Sequence, residues 1–374
     1  MTESQTESRK ALRELIDFLS EADERWAGPE WNIESEADVV NAHRALMHLL
    51  EAGLLSYFEH EPQHPRFRRI VSPTRKHMGD NPDAINWDAP IRDDVAYRVR
   101  GRVDGAVYVS FTIEVDTHDG RMAQKTGGVL NDTQFDVDGE GRFELYLGGE
   151  PRERNWLALE PGASRITTRH YYENETPAAA DAKRHAALEI EPLEPRPAPA
   201  APTDRSVAAG IRRAIAFVRS RTLDQRPMAE AEPPPFVSIL PNTFPAPVTP
   251  GDFGLAALDA AYSMAPFLLG PDDALVMTGR WPTCRMANVV LWNRHMQTFD
   301  YANRQISLNR AQTTLRPDGS FRMILAHRDP GLPNWIDTAG QAFGLVFWRF
   351  MLPEGPIETP RAERVPFASL VDDQ

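Results

Sequence analysis

The sequence predicts a mainly β fold with helical additions, in which an internal repeat relates two antiparallel, jelly-roll-like β-sandwich modules. Three observations support this prediction. Apolar and polar residues alternate along much of 99–115 and 143–147, which is typical of half-buried strands. Turn sequences such as Asp138-Gly139 separate these runs. Short motifs also occur twice along the chain in the same order, which indicates that the β unit is duplicated.

Five pairs of motifs carry the repeat, and three of these pairs are separated by 178 residues. The pairs are Gly101-Arg102 with Gly279-Arg280, Leu130-Asn131 with Leu308-Asn309, Gly141 with Gly319, Asn155-Trp156 with Asn334-Trp335, and Arg169 with Arg349. We therefore predict a first β module at 90–176, a second at 270–353 and a C-terminal tail at 354–374. Residues that both modules share are expected to be structural, so function is sought where the modules differ. Arg169 and Arg349 could bind an anion, although buried arginines that connect strands explain them more simply.

The rest of the chain is predicted to be helical at its start and proline-rich between the modules. Leucine and isoleucine recur at helical spacing within 1–60, and many of the 32 prolines fall within 177–269. A helix near 204–221, capped by Thr203 or Asp204, is expected to interrupt this connection. The second proline cluster also carries apolar residues, which favours an ordered strap over a free linker.

Composition and charge argue against several classes of protein. The 374 residues suggest two to three domains, and the net charge of −13 argues against nucleic-acid binding, which needs a basic surface. The single cysteine, Cys284, excludes an intrachain disulfide and a cysteine-based metal site. The apolar stretch 253–269 contains Asp259 and Pro266 and is too short to span a bilayer, so no membrane contact is expected. The first residues lack the pattern of a signal peptide, and we expect a cytoplasmic protein.

The second module resembles a known bacterial family. The motifs that carry the resemblance are Asn303-Arg304, Ser307-Leu308-Asn309-Arg310, Asp318-Gly319-Ser320, Pro330, Asn334-Trp335 and Arg349. Over about 250–353 they are similar to the domain-of-unknown-function family numbered twelve-fourteen. The resemblance implies a jelly-roll-like β fold, in agreement with the strand pattern, and implies no particular activity. Members are often paired with a companion domain numbered twelve fifty-four, which the N-terminal half does not clearly match.

Two polar segments fit metal-binding patterns only in part. His60 and His64 complete the H-E-x-x-H expression of zinc proteases, but Pro62 lies inside the motif and would break the helix that the chemistry needs. We therefore expect a surface loop there. The aspartates within 116–120 and 132–140 do not match the EF-hand spacing and are expected to form hairpin turns. No metal site and no cofactor are predicted.

The candidate site lies mainly where the second module differs from the first. The residues proposed to act in catalysis are His327, Arg304, Tyr301 and His295, and those proposed to bind a ligand are Trp292, Asn293, His77 and Asp80. His327, for example, stands where the first module has Gly149 at the repeat spacing. A histidine that titrates near neutral pH, an arginine and aromatic rings suit acid/base chemistry on a partly apolar molecule. Ordinary core and surface residues are the alternative interpretation.

Two classes of function remain open from the sequence. The first is an enzyme that uses cofactor-free acid/base chemistry, of lyase, isomerase or hydrolase type, on a small, partly apolar metabolite. The second is a non-catalytic protein that binds a carbohydrate or another small molecule, or that acts in assembly, because a fold does not determine a function. The expected partner is a small-molecule ligand, and a homo-oligomer is left open.

Overall fold

The computed structural model of the protein confirms a mostly β architecture. The described residues are 6–116, 118–123, 125–181, 183–184, 187–227, 232–251 and 257–371. They form two β-sandwiches and a helical group. The helices of this group are α1 (Glu7–Glu21), α2 (Glu36–Gly53) and α3 (Asp204–Arg219). The start of the apolar stretch at 253–269 lies outside the described residues.

The first sandwich is formed by two sheets that enclose an apolar core. Its strands are β1 (Arg68–Arg69), β2 (Ala84–Pro90), β3 (Tyr97–Arg102), β4 (Tyr108–Val115), β5 (Lys125–Asn131), β6 (Arg142–Leu147), β7 (Trp156–Leu157), β8 (Ala163–Tyr171) and β9 (Glu189–Pro192). One sheet has the order β1-β2-β8-β4-β5, and the other has the order β7-β6-β3-β9. Phe111 on β4 and Leu145 on β6 are fully buried between the two sheets. The alternating apolar residues of β4 therefore face this core.

The second sandwich repeats the strand order of the first. Its strands are β10 (Ala260–Leu268), β11 (Asp273–Gly279), β12 (Met286–Trp292), β13 (Ser307–Asn309), β14 (Phe321–Ala326), β15 (Trp335–Asp337), β16 (Phe343–Met351) and β17 (Arg361–Pro366). The sheets have the orders β10-β16-β12-β13 and β15-β14-β11-β17, which match β2-β8-β4-β5 and β7-β6-β3-β9 strand for strand. The predicted internal repeat is thus confirmed. The pairs β6–β7 and β14–β15 are parallel, and the jelly-roll description stays a prediction.

Both sandwiches extend beyond the predicted module limits. The first runs from Arg68 to Pro192, and the second runs from Ala260 to Pro366, so the predicted connection and tail contain strands. β9 and β17 are edge strands with mostly exposed or half-buried residues, and they lack the apolar alternation that identifies a strand in a sequence. The apolar stretch 253–269, which is too short to span a bilayer, contains β10. Among the described residues, no helix is both long and apolar enough to cross a membrane.

Side-chain caps begin the helices α1, α2 and α3. The hydroxyl groups of Thr6, Ser35 and Thr203 accept backbone N–H bonds, and Thr203 forms a capping box with Ser206. Caps of this kind stabilise a helix by about 1 kcal/mol each. Although α3 follows the first sandwich in the sequence, its Phe217 packs into the core that α1 and α2 share. The helical group therefore joins distant parts of the chain.

The end of α2 connects the helical group to the first sandwich. A π-helical turn, Leu54–Phe58, follows α2, and arginine side chains donate to its carbonyl groups. The bonds run from Arg68 to Leu55, from Arg165 to Ser56 and from Arg213 to Tyr57, at 2.7, 3.0 and 2.9 Å. Guanidinium groups at a helix C-terminus satisfy carbonyls that have no partner within the helix. The bonds from Arg68 and Arg165 join the helical group to β1 and β8 of the first sandwich.

The proline-rich segment before β10 is an ordered strap on the second sandwich. Phe236 and Phe244 are buried in the core of this sandwich. The backbone N–H of Ser238 donates to the carbonyl of Met264 on β10 at 2.8 Å. The apolar residues that favoured a strap in the sequence are therefore explained by burial.

Candidate functional site

Two sheets, one from each sandwich, face each other and bury a layer of polar residues. The strands β4, β8 and β12 are buried along their whole length, so both faces of their sheets are covered. One face forms a sandwich core, and the other contacts the opposite sandwich. We call this contact layer the seam. Its residues include Tyr108, Ser110, Thr112, Arg169 and Tyr171 from the first sandwich and Tyr262, Asn288, Val290, Phe347 and Arg349 from the second.

Strand alternation places the polar side chains in the seam. Along β8, Ile166 and His170 lie on the face of the first sandwich core, so Arg165 and Arg169 lie on the opposite face. Strands with both faces buried usually read as continuous apolar runs. A buried face with arginines is therefore unusual, and each of these charged groups needs a partner.

A turn that precedes β2 enters the seam and bonds to the second sandwich. The carboxylate of Asp83 accepts N–H bonds from Asn288 at 2.8 Å and from Asn309 at 3.0 Å. Burial raises the pKa of Asp83 to about 6, against the lowering effect of these two amides and of the Arg349 charge. The oxygens of Asp83 thus receive hydrogen bonds from neutral amides, while Arg349 acts through its charge.

The repeat-related arginines Arg169 and Arg349 both lie in the seam, but their partners differ. Arg169 Nη1 donates to Thr112 Oγ1 at 2.6 Å. Arg349 is only 6% exposed, and within the described part of the chain its Nε and Nη1 have no hydrogen-bond partner. At the repeat spacing, Val290 occupies the place of Thr112. The second sandwich therefore lacks the hydroxyl acceptor that the first one provides.

Aromatic rings surround the guanidinium group of Arg349. Its central carbon lies 5.5 Å from the ring centre of Tyr171, 5.4 Å from that of Tyr262 and 4.9 Å from that of Phe347. Burial raises the pKa of Tyr262, so this phenol is neutral. Ser110 is 1% exposed, and its hydroxyl finds no hydrogen-bond partner among the described residues. Unsatisfied polar groups of both sandwiches therefore lie in this layer.

Three of the predicted site residues, Asp80, Tyr301 and Trp292, belong to a group of contacts around Lys76. Lys76 itself is not predicted from the sequence. Lys76 Nζ donates to Thr298 Oγ1 and to the carbonyl of Phe299, both at 2.6 Å, and lies 4.2 Å from the ring centre of Tyr301. The Thr298 hydroxyl in turn bonds to the carboxylate of Asp80. The Trp292 indole N–H donates to the Asp80 carbonyl at 2.8 Å. Because these polar groups are partnered, Asp80, Tyr301 and Trp292 form a fastening between the turn before β2 and the second sandwich.

His77 lies next to this fastening on the side of the helical group. Arg221 Nε donates to His77 Nε2 at 3.2 Å, and the imidazole packs against the ring of Phe217 with a centroid distance of 5.3 Å. Burial, with a smaller contribution from the Arg221 charge, lowers the pKa of His77 to about 3. His77 is therefore a neutral acceptor for Arg221 and not a group that titrates near neutral pH.

Asn293 and His295 belong to a turn that contacts the helical group. The side-chain oxygen of Asn293 accepts the backbone N–H of His295 at 2.9 Å. The His295 imidazole lies 4.6 Å from the indole of Trp26, and burial lowers its pKa to about 4. These contacts give Asn293 a role in the turn and His295 a role in packing.

Arg304 and His327 are each held by one of two consecutive residues at the edge of the second sandwich. Arg304 Nη1 forms an ion pair with Asp337 at 2.7 Å, and His327 Nδ1 lies 2.6 Å from the hydroxyl of Thr338. Asp337 and Thr338 are consecutive in the chain, so they hold both predicted catalytic groups. The hydrogen bonds thus divide the eight predicted site residues among separate groups.

The H-E-x-x-H segment is a loop, as Pro62 predicted. No helical turn is present at 59–67, and His64 Nε2 lies 2.7 Å from the carbonyl of Pro197. Among the described residues, no group of three or more His, Cys, Asp or Glu side chains is arranged to hold a metal ion.

A solved structure of another protein shares this fold, and the comparisons name no chemical activity. An uncharacterised protein from Burkholderia cenocepacia has a crystal structure with a TM-score of 0.83 and 26% identity, covering 98% of this chain and 99% of its own. The VPA0106 protein from Vibrio parahaemolyticus matches with a TM-score of 0.48 and 12% identity, over 86% of this chain and 98% of its own. No family model matches the sequence, and no curated protein matches it.

The signal that could have identified the seam is present in the repeat. Arg169 and Arg349 occur at equivalent places in the two modules. Their surroundings differ, because the first module has Thr112 where the second has Val290. Lys76 carries no comparable signal, because its partners lie more than 220 residues away along the chain. Contacts of such sequence separation cannot be inferred from local patterns.

Proposed function

We propose that the protein binds a small molecule in the seam between its two sandwiches. The observation that carries this proposal is Arg349, a buried guanidinium group with two nitrogens that have no partner among the described residues. A buried charged donor without an acceptor costs at least the usual 1–3 kcal/mol of an unsatisfied polar group. A ligand that accepts from Arg349 removes this cost and gains the same free energy as affinity.

The surroundings of Arg349 suit a partly apolar ligand. Binding sites combine apolar and aromatic walls with a few polar groups that orient the ligand. The rings of Tyr171, Tyr262 and Phe347 supply such walls, Tyr171 from the first sandwich and the other two from the second. Both sandwiches contribute, so ligand binding is expected to strengthen their association.

The proposal is tested by ligand-induced shifts of the melting temperature over a panel of small metabolites. A ligand at one hundred times its Kd stabilises the folded protein by about 2.7 kcal/mol. We expect at least one compound to raise the melting temperature of the wild type and to lose this effect in Arg349→Met. Arg280→Met removes another arginine of the second sandwich, whose side chain is 49% exposed, and is the matched control, with the shift retained. An equal shift in Arg349→Met and the wild type would overturn the proposal.

A second candidate function is acid/base catalysis at the Arg304 and His327 pair. The observation that favours it is that consecutive residues, Asp337 and Thr338, hold the two side chains in place. An imidazole can move a proton, and a guanidinium group can bind an anionic group of a substrate. This remains the enzymatic alternative for a partly apolar metabolite, without a cofactor.

For the enzymatic alternative, His327→Ala is expected to abolish the melting shift that a substrate-like compound produces. Loss of the imidazole removes a direct contact with the ligand, whereas His64→Ala removes an imidazole from the H-E-x-x-H loop and should leave the shift unchanged. If His327→Ala retains the full shift for every active compound, the Arg304 and His327 pair is not the site.

The resemblance of the second module to the family numbered twelve-fourteen supports a further proposal, that the chain is a divergent relative of this family. Its strand pattern and the motifs around Asn309 and Asn334 support that relationship. We also propose a cytoplasmic location.

A further inference from the structure

We infer that the group bound in the seam is a small anion, a carboxylate or an inorganic anion, that accepts hydrogen bonds from Arg349. This inference rests on the proposed function and names the chemistry of its ligand. A guanidinium group stays charged at every pH at which proteins fold and presents N–H donors in a plane, which suits carboxylate and phosphate oxygens. The ligand atom that faces Arg349 is therefore a negatively charged acceptor.

The two sandwiches provide an internal comparison that supports the anion. Arg169 lies opposite Ser110 on the neighbouring strand, and Arg349 lies opposite Asn288 at the equivalent place. In the first sandwich Thr112 follows two residues after Ser110 and accepts from Arg169. The equivalent residue in the second sandwich is Val290, which has no acceptor. With the same strand geometry, Arg349 therefore keeps two nitrogens, Nε and Nη1, that have no acceptor among the described residues.

Arg349 also lies close to a buried carboxylate and to neutral rings. The buried carboxylate of Asp83 is bonded by the amides of Asn288 and Asn309. The side chains of Tyr262 and Phe347 are neutral, and their ring centres lie 5.4 and 4.9 Å from the guanidinium carbon; Tyr262 also forms a side-chain hydrogen bond with Arg349. Asp83 therefore gives Arg349 a nearby opposite charge but no hydrogen bond, and Nε and Nη1, which have no partner among the described residues, are left for a ligand.

The aromatic surroundings limit the size of this anion. Three ring centres lie within 5.5 Å of the guanidinium carbon of Arg349, so the rings restrict the space for a ligand beside it. A halide, formate, or the carboxylate of a flat aromatic acid meets this limit, whereas a nucleotide does not. The ligand class is therefore a small anion with, at most, a flat apolar body.

The test uses Val290→Thr, which gives Arg349 the acceptor that Arg169 has. Binding of chloride, phosphate, formate and benzoate is measured by isothermal titration calorimetry at constant ionic strength. We expect the wild type to bind at least one of these anions, and Val290→Thr to bind it at least tenfold more weakly. Val290→Ala, which shortens the side chain without adding an acceptor, is the matched control and should retain the wild-type affinity.

The outcomes separate the anion from the proposed function. Tight binding of formate or benzoate alone identifies a carboxylate, and tight binding of chloride or phosphate identifies an inorganic anion. If neutral metabolites stabilise the wild type through Arg349 but no anion binds, the anion inference is overturned and the proposed function stands. If neither anions nor metabolites act through Arg349, both are overturned. Equal affinity in Val290→Thr and Val290→Ala also contradicts the inference.

Discussion

Asp88→Ala is expected to lower the free energy of unfolding by about 3–5 kcal/mol, because it leaves a buried arginine without its carboxylate. Asp88 Oδ2 lies 2.6 Å from Arg165 Nη1, and the two side chains are 4% and 5% exposed. Arg165 also donates to the carbonyl of Ser56 and lies 3.9 Å from the ring centre of Tyr57. Without Asp88 the guanidinium charge keeps these two weak partners, so the junction between the first sandwich and the helical group should fail first.

An exposed ion pair of the same length is the matched control for Asp88→Ala. Arg92 and Asp94 also approach to 2.6 Å, but their side chains are 43% and 58% exposed. Solvent screens such a pair, and Asp94→Ala should cost at most about 1 kcal/mol. The measurement is urea-induced unfolding at pH 7, followed by circular dichroism and by tryptophan fluorescence. Equal losses in the two variants would show that burial does not determine the strength of the Asp88–Arg165 pair.

Acid is expected to destabilise the protein through its fully buried histidines, well above the pH at which carboxylates usually protonate. Burial lowers the pKa of His77 and of His170 to about 3, below the value of about 6.5 in an unfolded chain. Between these two values the unfolded state binds more protons, so stability falls as pH falls. From pH 7 to pH 5 each histidine removes about 2 kcal/mol. Asp83, with its pKa raised to about 6, offsets about 1 kcal/mol of this loss.

His170→Phe isolates one of these histidines. His170 lies in the core of the first sandwich between Trp87 and Phe111, and its Nε2 has no partner among the described residues. At the equivalent place in the second sandwich the residue is Phe350, so the core accepts this ring. The variant should lose about 2 kcal/mol less than the wild type between pH 7 and pH 5, measured by urea unfolding at both values. An unchanged pH dependence would contradict a neutral, buried His170.

The repeat could be predicted because its markers are turn residues with strict backbone requirements. Asn155 and Asn334 both have positive φ angles, 57° and 59°, a conformation that asparagine tolerates better than most residues. The side-chain oxygens of both accept a backbone N–H from the strand connection, at Asp136 and at Thr314. The same local geometry therefore favours asparagine at this place in both modules. For this reason the repeat can be recognised in the sequence.

The candidate site was less predictable, because it is formed by surfaces that meet only in the folded protein. The differences between the modules led to His327 and Tyr301, which the structure places in separate groups around Thr338 and Lys76. The two arginines that both modules share, Arg169 and Arg349, lie in the seam. The sequence predicts a structural role for both of them. That interpretation fits Arg169, which has an acceptor in Thr112. For Arg349 it stays a prediction, because the packing of two sheets decides which acceptors are present.

The measurement that tests the central claim most directly is the anomalous scattering of bromide in crystals of the protein. A bromide ion can replace another small anion at a guanidinium group, and its position is observed without assumptions about chemistry. We expect an anomalous peak within hydrogen-bonding distance of Arg349 Nε or Nη1 in the wild type, and none at this place in Val290→Thr crystals. A map with bromide at surface arginines but no peak at Arg349 would contradict an anion in the seam.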